Sequence, residues 1–200
     1  MDRTLVLGTT NDGKLRELVD LLAPHRIVCR SLKGLASAVE VEETGSSFAE
    51  NAALKASLQA RALGAWVLAE DSGLVVDALG GAPGIYSARF SGASGNDAAN
   101  NALLMERLAG RRPAERTAHY ACHAALADPS GTVVATASGT CCGLIAEVAA
   151  GSGGFGYDPL FIVPEYHRTF GELAPAVKGV ISHRARAMRA LLPEIIRRVG

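Results

Sequence analysis

The chain has 200 residues, of which 48% are hydrophobic and 20% charged, so it can bury a full core and is predicted to form a single domain over residues 1–200. Its 20 lysine and arginine residues balance its 20 aspartate and glutamate residues, which leaves no net positive charge to attract nucleic acid. No apolar run reaches bilayer length and no signal segment is recognised, so we expect a cytoplasmic protein without a membrane partner.

The first half of the chain alternates between strand and helix patterns. Ser47 and Glu50 match a capping box that opens a helix, and Gly64 is placed to end it. Apolar residues on one face predict another helix directly after the first strand. The predicted elements of this half are strands at 5–8, 27–30, 66–69 and 74–76 and helices at 13–22, 47–63 and 97–109.

The second half begins with a long hairpin pattern. Residues 117–127 and 132–138 are predicted to pair as antiparallel strands, with a third strand at 142–148 and a fourth at 160–163. Ser182 is predicted to cap a final helix that Pro193 kinks or interrupts. Helices alternating with strands, followed by a hairpin, predict an α/β fold: a mixed sheet with flanking helices, in two lobes around a central cleft.

The turn between the first strand and the first helix reads Gly8-Thr9-Thr10-Asn11-Asp12-Gly13-Lys14, which fits the first seven positions of the phosphate-binding pattern G-x-x-x-x-G-K. Leu15 follows, where a standard P-loop has the Ser or Thr that binds magnesium. A hydroxyl-rich turn at a helix N-terminus with a lysine beside it still suits a phosphate. The alternative is that Asn11 only caps the helix and Lys14 is exposed.

Two adjacent acids, Glu70 and Asp71, follow the apolar segment at 66–69. Successive side chains of a strand point to opposite faces, so both acids cannot point outward from one buried sheet. One interpretation is a strand end at which Asp71 and Ser72 cap backbone N–H groups. The other is a metal site, because magnesium takes one or two carboxylates together with substrate phosphates and water. Glu43 and Lys55 are further candidates for such a site.

Two later clusters suit a planar ligand. The first runs from Gly153 to Pro159 and places an aromatic ring between glycines, with Asp158 able to accept hydrogen bonds from ring N–H groups. The second is Lys178 with the segment 181–184. Each alone is weak, because glycine-rich loops are often only turns and Ser182 can be only a helix cap.

Five segments in this order resemble the inosine/xanthosine triphosphate pyrophosphatases, which hydrolyse non-standard purine nucleoside triphosphates to the monophosphate and pyrophosphate. The segments are TTNDGK, EETGSSFAENAALKA, AEDSGLVVDALGGAPGIYSARF, GFGYDPLF and ISHR. The resemblance covers nearly the whole chain. It implies a Mg²⁺-dependent enzyme that acts on a small-molecule purine nucleoside triphosphate (ITP, dITP or XTP) and forms a homodimer.

The resemblance also implies roles for individual residues. Glu43 and Asp71 would hold Mg²⁺, Asp71 would be the proton acceptor, and Lys55 would assist with phosphate charge. The substrate-binding residues would be Thr9, Thr10, Asn11, Asp12, Gly13 and Lys14 for the triphosphate, Lys55 and Ser72, and Phe155, Gly156, Tyr157, Asp158, Lys178, His183 and Arg184 around the base.

Three questions stay open at this point. Glu70 is a second candidate for the proton acceptor, because a carboxylate that ligates a cation is a poor base. A P-loop-like NTPase or kinase would act at the γ-phosphate and release orthophosphate or transfer it. A nucleotide-binding protein without catalysis would release no product, although the paired acids argue against it.

Overall fold

The computed structural model describes residues 4–92 and 95–199. In these residues seven strands form one sheet in the order β2-β1-β3-β4-β5-β6-β7. The strands are β1 (Thr4–Leu7), β2 (Val28–Ser31), β3 (Val67–Val76), β4 (Thr117–Ala127), β5 (Val133–Ile145), β6 (Phe161–Val163) and β7 (Arg168–Thr169). The helices are α1 (Asp12–Leu22), α2 (Phe48–Leu63), α3 (Asp97–Arg107), α4 (Pro175–Ile181) and α5 (His183–Val199).

The sheet is mixed, as predicted. Strand β1 runs parallel to both β2 and β3, with Thr4 opposite Val28 and Val6 opposite Val67. Strand β6 is antiparallel to β5 and to β7. Strands β4 and β5 are neighbours joined by a turn in which the N–H of Gly131 donates to the carbonyl of Asp128. The prediction of an α/β fold with a mixed sheet is therefore confirmed.

The chain divides into two compact units. The first unit consists of Met1–Asp71, Cys122–Gly139 and His183–Gly200, and the second of Ser72–Ala121 and Thr140–Ser182. Two units agree with the predicted two lobes, whereas the central cleft and the single domain over residues 1–200 stay predictions. Among the helices of the described residues, none combines the length and the apolar character needed to cross a bilayer.

The core of the first unit follows from strand alternation. Leu5 and Leu7 of β1 belong to a buried cluster with residues of α1 and α5, whereas Val6 belongs to another cluster with alanines of α2. Side chains two residues apart share a face of a strand, so the first unit has helices on both faces of its strands. The alanines of α2 at 52, 56 and 60 recur every four residues and form one small, buried stripe.

The core of the second unit is more aromatic. The rings of Phe161 and Phe170 stack with their centroids 5.3 Å apart, and the ring of Tyr120 lies 4.7 Å from that of Phe161. Leu104 and Leu108, from α3 and the turn after it, are fully buried in the same cluster. These residues support β6 and the glycine-rich segment that precedes it.

Most helix boundaries agree with their sequence signals. The hydroxyl of Ser47 accepts a hydrogen bond from the N–H of Glu50 at 3.2 Å, and Gly64 ends α2 in the left-handed conformation with φ of 58°. Helix α3 ends at Arg107, two residues before the predicted end. Helix α5 continues through Pro193, so the interruption predicted as one outcome is wrong, and the kink predicted as the other stays a prediction. Helix α4 and strand β7 are short and were not predicted.

The two strands predicted at 66–69 and 74–76 form one strand, β3, and those predicted at 132–138 and 142–148 form β5. A glycine inside a strand permits close approach of another backbone. A Cβ atom on Gly139 would collide with the carbonyl oxygen of His183, and one on Gly143 would collide with that of Ile162. Because β3 is continuous from Val67 to Val76, Glu70 and Asp71 lie within a strand and not at its end.

We expect Gly139→Ala to destabilise the protein, because the added methyl group would push the first turn of α5 away from β5. Overpacking of this kind costs about 1–3 kcal/mol in the free energy of unfolding, which urea denaturation measures. Gly179→Ala is the control, since Gly179 lies in α4 with open space around it and alanine is favoured in a helix by about 0.5–1 kcal/mol. Equal stability of the two variants would contradict the close packing described here.

Candidate active site

The turn before α1 brings backbone N–H groups and a lysine together. Gly8 lies against β3, where a Cβ atom would be 2.8 Å from that of Ala69. Thr9 accepts a hydrogen bond from the N–H of Asn11, and Asn11 in turn accepts one from the N–H of Lys14 at 3.0 Å. Asn11 is therefore the helix cap that the alternative interpretation required. Lys14 is not exposed as that alternative required, because its side chain is only 17% exposed.

Glu70 is buried among cations. Its Oε1 atom lies 3.1 Å from Nζ of Lys14 and 3.3 Å from Nη2 of Arg184. The thiol of Cys122 donates to Oε2 at 3.5 Å. Burial, followed by the negative charge of Glu70, raises the pKa of the Cys122 thiol well above its ordinary value, so this thiol stays protonated.

Arg184 extends this group of charges to α1. Its side chain is 1% exposed, and its guanidinium also pairs with the carboxylate of Glu17. Burial alone would lower the pKa of Arg184, but the charges of Glu70 and Glu17 raise it overall, so the guanidinium remains ionised. The structure therefore places Arg184, predicted to lie near the base, in contact with two acids of the first unit. Its neighbour His183 is also buried in that unit.

Asp71 points to the opposite face of β3, where it meets residues of α2. Its Oδ1 atom accepts from Nζ of Lys55 at 2.9 Å, and its Oδ2 atom accepts from the side-chain amide of Asn51 at 3.3 Å. Lys55 also donates to Oε1 of Glu43 at 2.7 Å. Burial would lower the pKa of Lys55, but the charges of Asp71, Glu43 and Glu70 outweigh it and raise that pKa.

The two carboxylates that pair with Lys55 also determine which metal ion would fit. In residues 4–92 and 95–199 no three His, Cys, Asp or Glu side chains are grouped so that they could hold a metal ion by themselves. Glu43 and Asp71 nevertheless converge on one ammonium group and offer only oxygen atoms. Such a pair fits Mg²⁺, which commonly takes one or two carboxylates and fills its remaining positions with phosphate oxygens and water.

In the second unit, the residues predicted to contact a base form a cluster of their own. Nζ of Lys178 pairs with Asp158 and lies 4.7 Å from the ring centroid of Phe155 and 5.5 Å from that of Phe170. The carboxylate of Asp158 also accepts from the N–H of Phe155 at 2.9 Å. Ser72, the first residue of this unit, is half-buried in β3.

Helix α3 holds the aromatic loop through residues that the sequence did not single out. Asp97 accepts from the N–H of Gly156 at 2.7 Å, and the amide of Asn101 donates to the carbonyl of the same glycine at 3.0 Å. The hydroxyl of Tyr157 donates to the carbonyl of Ser87 at 2.8 Å. Burial, followed by the charge of Asp97, raises the pKa of Tyr157, so the hydroxyl remains a donor. The four-residue spacing of Asp97 and Asn101, which places both on one face of α3, is the signal in the sequence that could have identified them.

The comparisons with known proteins agree with the fold and with the motif order. The sequence profile of the Ham1 family matches residues 5–194, so the chain belongs to the Ham1 family. A Rhodopirellula baltica protein named dITP/XTP pyrophosphatase is 51% identical over 195 residues, which cover 98% of this chain and 94% of that protein.

Solved structures of the family have the same fold. A HAM1 protein from Coxiella burnetii superposes with a TM-score of 0.86 at 36% identity, covering 97% of this chain and 98% of that one. The Staphylococcus aureus Ham1 protein gives a TM-score of 0.84 at 38% identity, covering 96% of this chain and 97% of that one.

We expect Glu70→Gln to destabilise the first unit, because Arg184 and Lys14 would lose a buried negative charge. Removing one partner from a buried ion pair costs about 3 kcal/mol or more in the free energy of unfolding, which urea denaturation measures. Glu115→Gln is the control, since Glu115 pairs with Arg112, whose side chain is 80% exposed. The interpretation fails if both variants lose the same stability.

Proposed function

We propose that this protein is a nucleoside triphosphate pyrophosphatase that converts ITP, dITP and XTP to the nucleoside monophosphate and pyrophosphate. The observation that carries the proposal is the group of two lysines and three acids in the first unit, where Lys14 contacts Glu70 and Lys55 contacts both Glu43 and Asp71. The names of close relatives support the same activity. This activity would remove non-standard purine nucleotides from the cellular pool.

The triphosphate is assigned to the N-terminus of α1. The helix dipole favours an anion at this end of α1, and Lys14 adds a full positive charge. Lys14 and Lys55 are held by acids, so their positions are fixed before the substrate arrives. Groups fixed in advance stabilise charge in a transition state without reorganisation.

A divalent cation is assigned to Glu43 and Asp71, with Mg²⁺ as the preferred ion. When bound, it would polarise a phosphoryl oxygen and neutralise developing negative charge. Lys55 lies between the same two carboxylates and would contribute its charge to the phosphate oxygens once they are present.

The chemical step is attack of water on the α-phosphorus. A bond forms between the water oxygen and the α-phosphorus, the bond to the oxygen that bridges the α and β phosphorus atoms breaks, and pyrophosphate leaves. Asp71 is proposed to accept the proton that the water loses. Glu70 is in contact with two cations and the thiol of Cys122, so we assign it to holding Lys14 and Arg184, and it stays the second candidate for the proton acceptor.

The base is assigned to Phe155, Asp158 and Lys178 of the second unit, with the aromatic ring against the purine and Lys178 as a donor to the oxygen at C6. Ser72, Tyr157 and His183 remain substrate-binding candidates. We also infer a cytoplasmic homodimer, as the family resemblance implies.

The proposed function is tested with a panel of purine triphosphates and separate detection of pyrophosphate and orthophosphate. We expect pyrophosphate from ITP, dITP and XTP, with kcat/KM for ITP exceeding that for ATP by at least about 100-fold, because an amino group at C6 cannot accept from Lys178. GTP is expected to be intermediate. Orthophosphate as the product would instead support cleavage at the γ-phosphate, and binding without any product would refute catalysis.

The role of Lys178 is tested with Lys178→Met, which keeps the length of the side chain and removes its donor. We expect the ratio of kcat/KM for ITP to that for ATP to fall by at least about tenfold. A loss of folded protein affects both substrates equally, so the ratio reports recognition of the base. An unchanged ratio would remove Lys178 from the base site.

We expect Asp71→Asn to lower kcat for ITP by at least about 100-fold at saturating Mg²⁺, because one carboxylate of the metal pair and the proton acceptor are both lost. Asp77→Asn is the matched control, since Asp77 directly follows β3 and its carboxylate accepts from the hydroxyl of Thr117 at 2.6 Å. Near-normal turnover of the Asp71 variant would refute its assignment.

A further inference from the structure

Asn51 is a fully buried amide in the first half of α2, in the first unit. Its Oδ1 atom accepts a hydrogen bond from the N–H of Gly45 at 2.8 Å. Its Nδ2 atom donates to Oδ2 of Asp71 at 3.3 Å. An amide has both an acceptor and donors, so this one side chain binds a loop on one side and a strand on the other.

The two hydrogen bonds of Asn51 act on the two carboxylates assigned to the metal. The bond to Asp71 engages Oδ2, while Lys55 engages Oδ1, so both oxygens of this carboxylate are fixed. The bond to Gly45 holds the loop that carries Glu43, two residues earlier. Asn51 and Lys55 are four residues apart on one face of α2, and each links that loop to β3.

The loop approaches Asn51 so closely that a side chain would not fit at position 45. A Cβ atom on Gly45 would lie 2.6 Å from Oδ1 of Asn51 and 2.7 Å from Cβ of Glu50. This spacing brings the backbone N–H of Gly45 within hydrogen-bonding distance of the amide. Gly45 and Asn51 therefore form one contact in which each residue type is needed.

We propose that Asn51 is a positioning residue that orients Asp71 and Glu43 toward a divalent cation. The inference rests on the proposed function, since it needs the metal pair assigned there. Groups that hold metal ligands in place typically change metal affinity or activity by about 10–100-fold when they are lost. Asn51 contributes no charge, so its effect comes from the geometry of the two carboxylates.

Gln59 provides a matched comparison on the same helix. It is buried like Asn51, and its side-chain amide both accepts from the N–H of Val39 and donates to the carbonyl of Val39. Gln59 thus ties the preceding loop to α2, as Asn51 does, but both of these hydrogen bonds go to backbone and neither goes to a carboxylate. A purely structural role for Asn51 predicts that loss of either amide has the same consequences.

The experiment compares Asn51→Leu with Gln59→Met, which replace each amide by an apolar side chain of similar size. Isothermal titration calorimetry gives the Kd of α,β-imido-ITP with and without Mg²⁺. We expect Asn51→Leu to reduce the gain in affinity that Mg²⁺ confers by about 10–100-fold, with the metal-free Kd within about threefold of wild type. Gln59→Met is expected to keep the wild-type gain, even where it lowers the melting temperature.

Gly45→Ala is the second variant and keeps the test decisive if Asn51→Leu does not fold. It retains the amide of Asn51 but forces the loop away from it, so the gain in affinity that Mg²⁺ confers should fall, as it does in Asn51→Leu. The inference is overturned if the variants that fold keep the wild-type gain, or if Gln59→Met loses as much of it as they do. A wild-type protein that releases no pyrophosphate from ITP would instead refute the proposed function.

Discussion

The burial of two consecutive carboxylates within strand β3 is the constraint on which the first unit depends. Glu70 and Asp71 must point to opposite faces, and a buried charge is costly unless each has its own partners. The face of Glu70 receives Lys14 from α1 and Arg184 from α5. The face of Asp71 receives Asn51 and Lys55 from α2. The apolar clusters divide in the same way, since Leu68 packs with α1 and α5, and Val67 and Ala69 pack with α2.

This arrangement explains why the polar groups are distributed over helices far apart in sequence. One strand segment of two residues needs helices on both faces, and each of these helices contributes a cation to one of the acids. Lys14 lies in the first turn of α1 and Arg184 in the first turn of α5. Because the pairs are already formed in the folded protein, the cations are held in place by the protein and not by the substrate. The same pairs that reduce the cost of burying the acids would therefore also fix the cations of the proposed phosphate site.

Much of the fold was predictable because its signals are local. The capping residues of α2, the apolar face of α1 and the alternation in β4 all lie within one element, and their boundaries agree closely with the structure. The continuity of β5 was not predictable, because the backbones that approach Gly139 and Gly143 come from elsewhere in the chain.

The same distinction applies to the candidate site. The residue types that suit phosphate and magnesium could be selected from the sequence, but their partners could not. Glu17 pairs with Arg184 across 167 positions, and Asn51 reaches Asp71 across 20. Nothing local to Arg184 indicates that its guanidinium pairs with Glu17 and Glu70, because both acids are far from it in the sequence. Its predicted contact with the base stays a prediction.

The two units surround their cations differently. In the first unit Lys14 pairs with Glu70 and Lys55 pairs with Asp71. A bound metal would compete with Lys55 for Asp71, and bound phosphates would compete with the acids for both lysines, so the net charge of this group would change on binding. In the second unit Lys178 is buried against Asp158 and two aromatic rings. Its charge is already compensated there by the carboxylate of Asp158. This difference supports the proposed assignments, because a purine base is uncharged and planar and suits a compensated lysine beside an aromatic ring, whereas a triphosphate is an anion and suits the cations of the first unit.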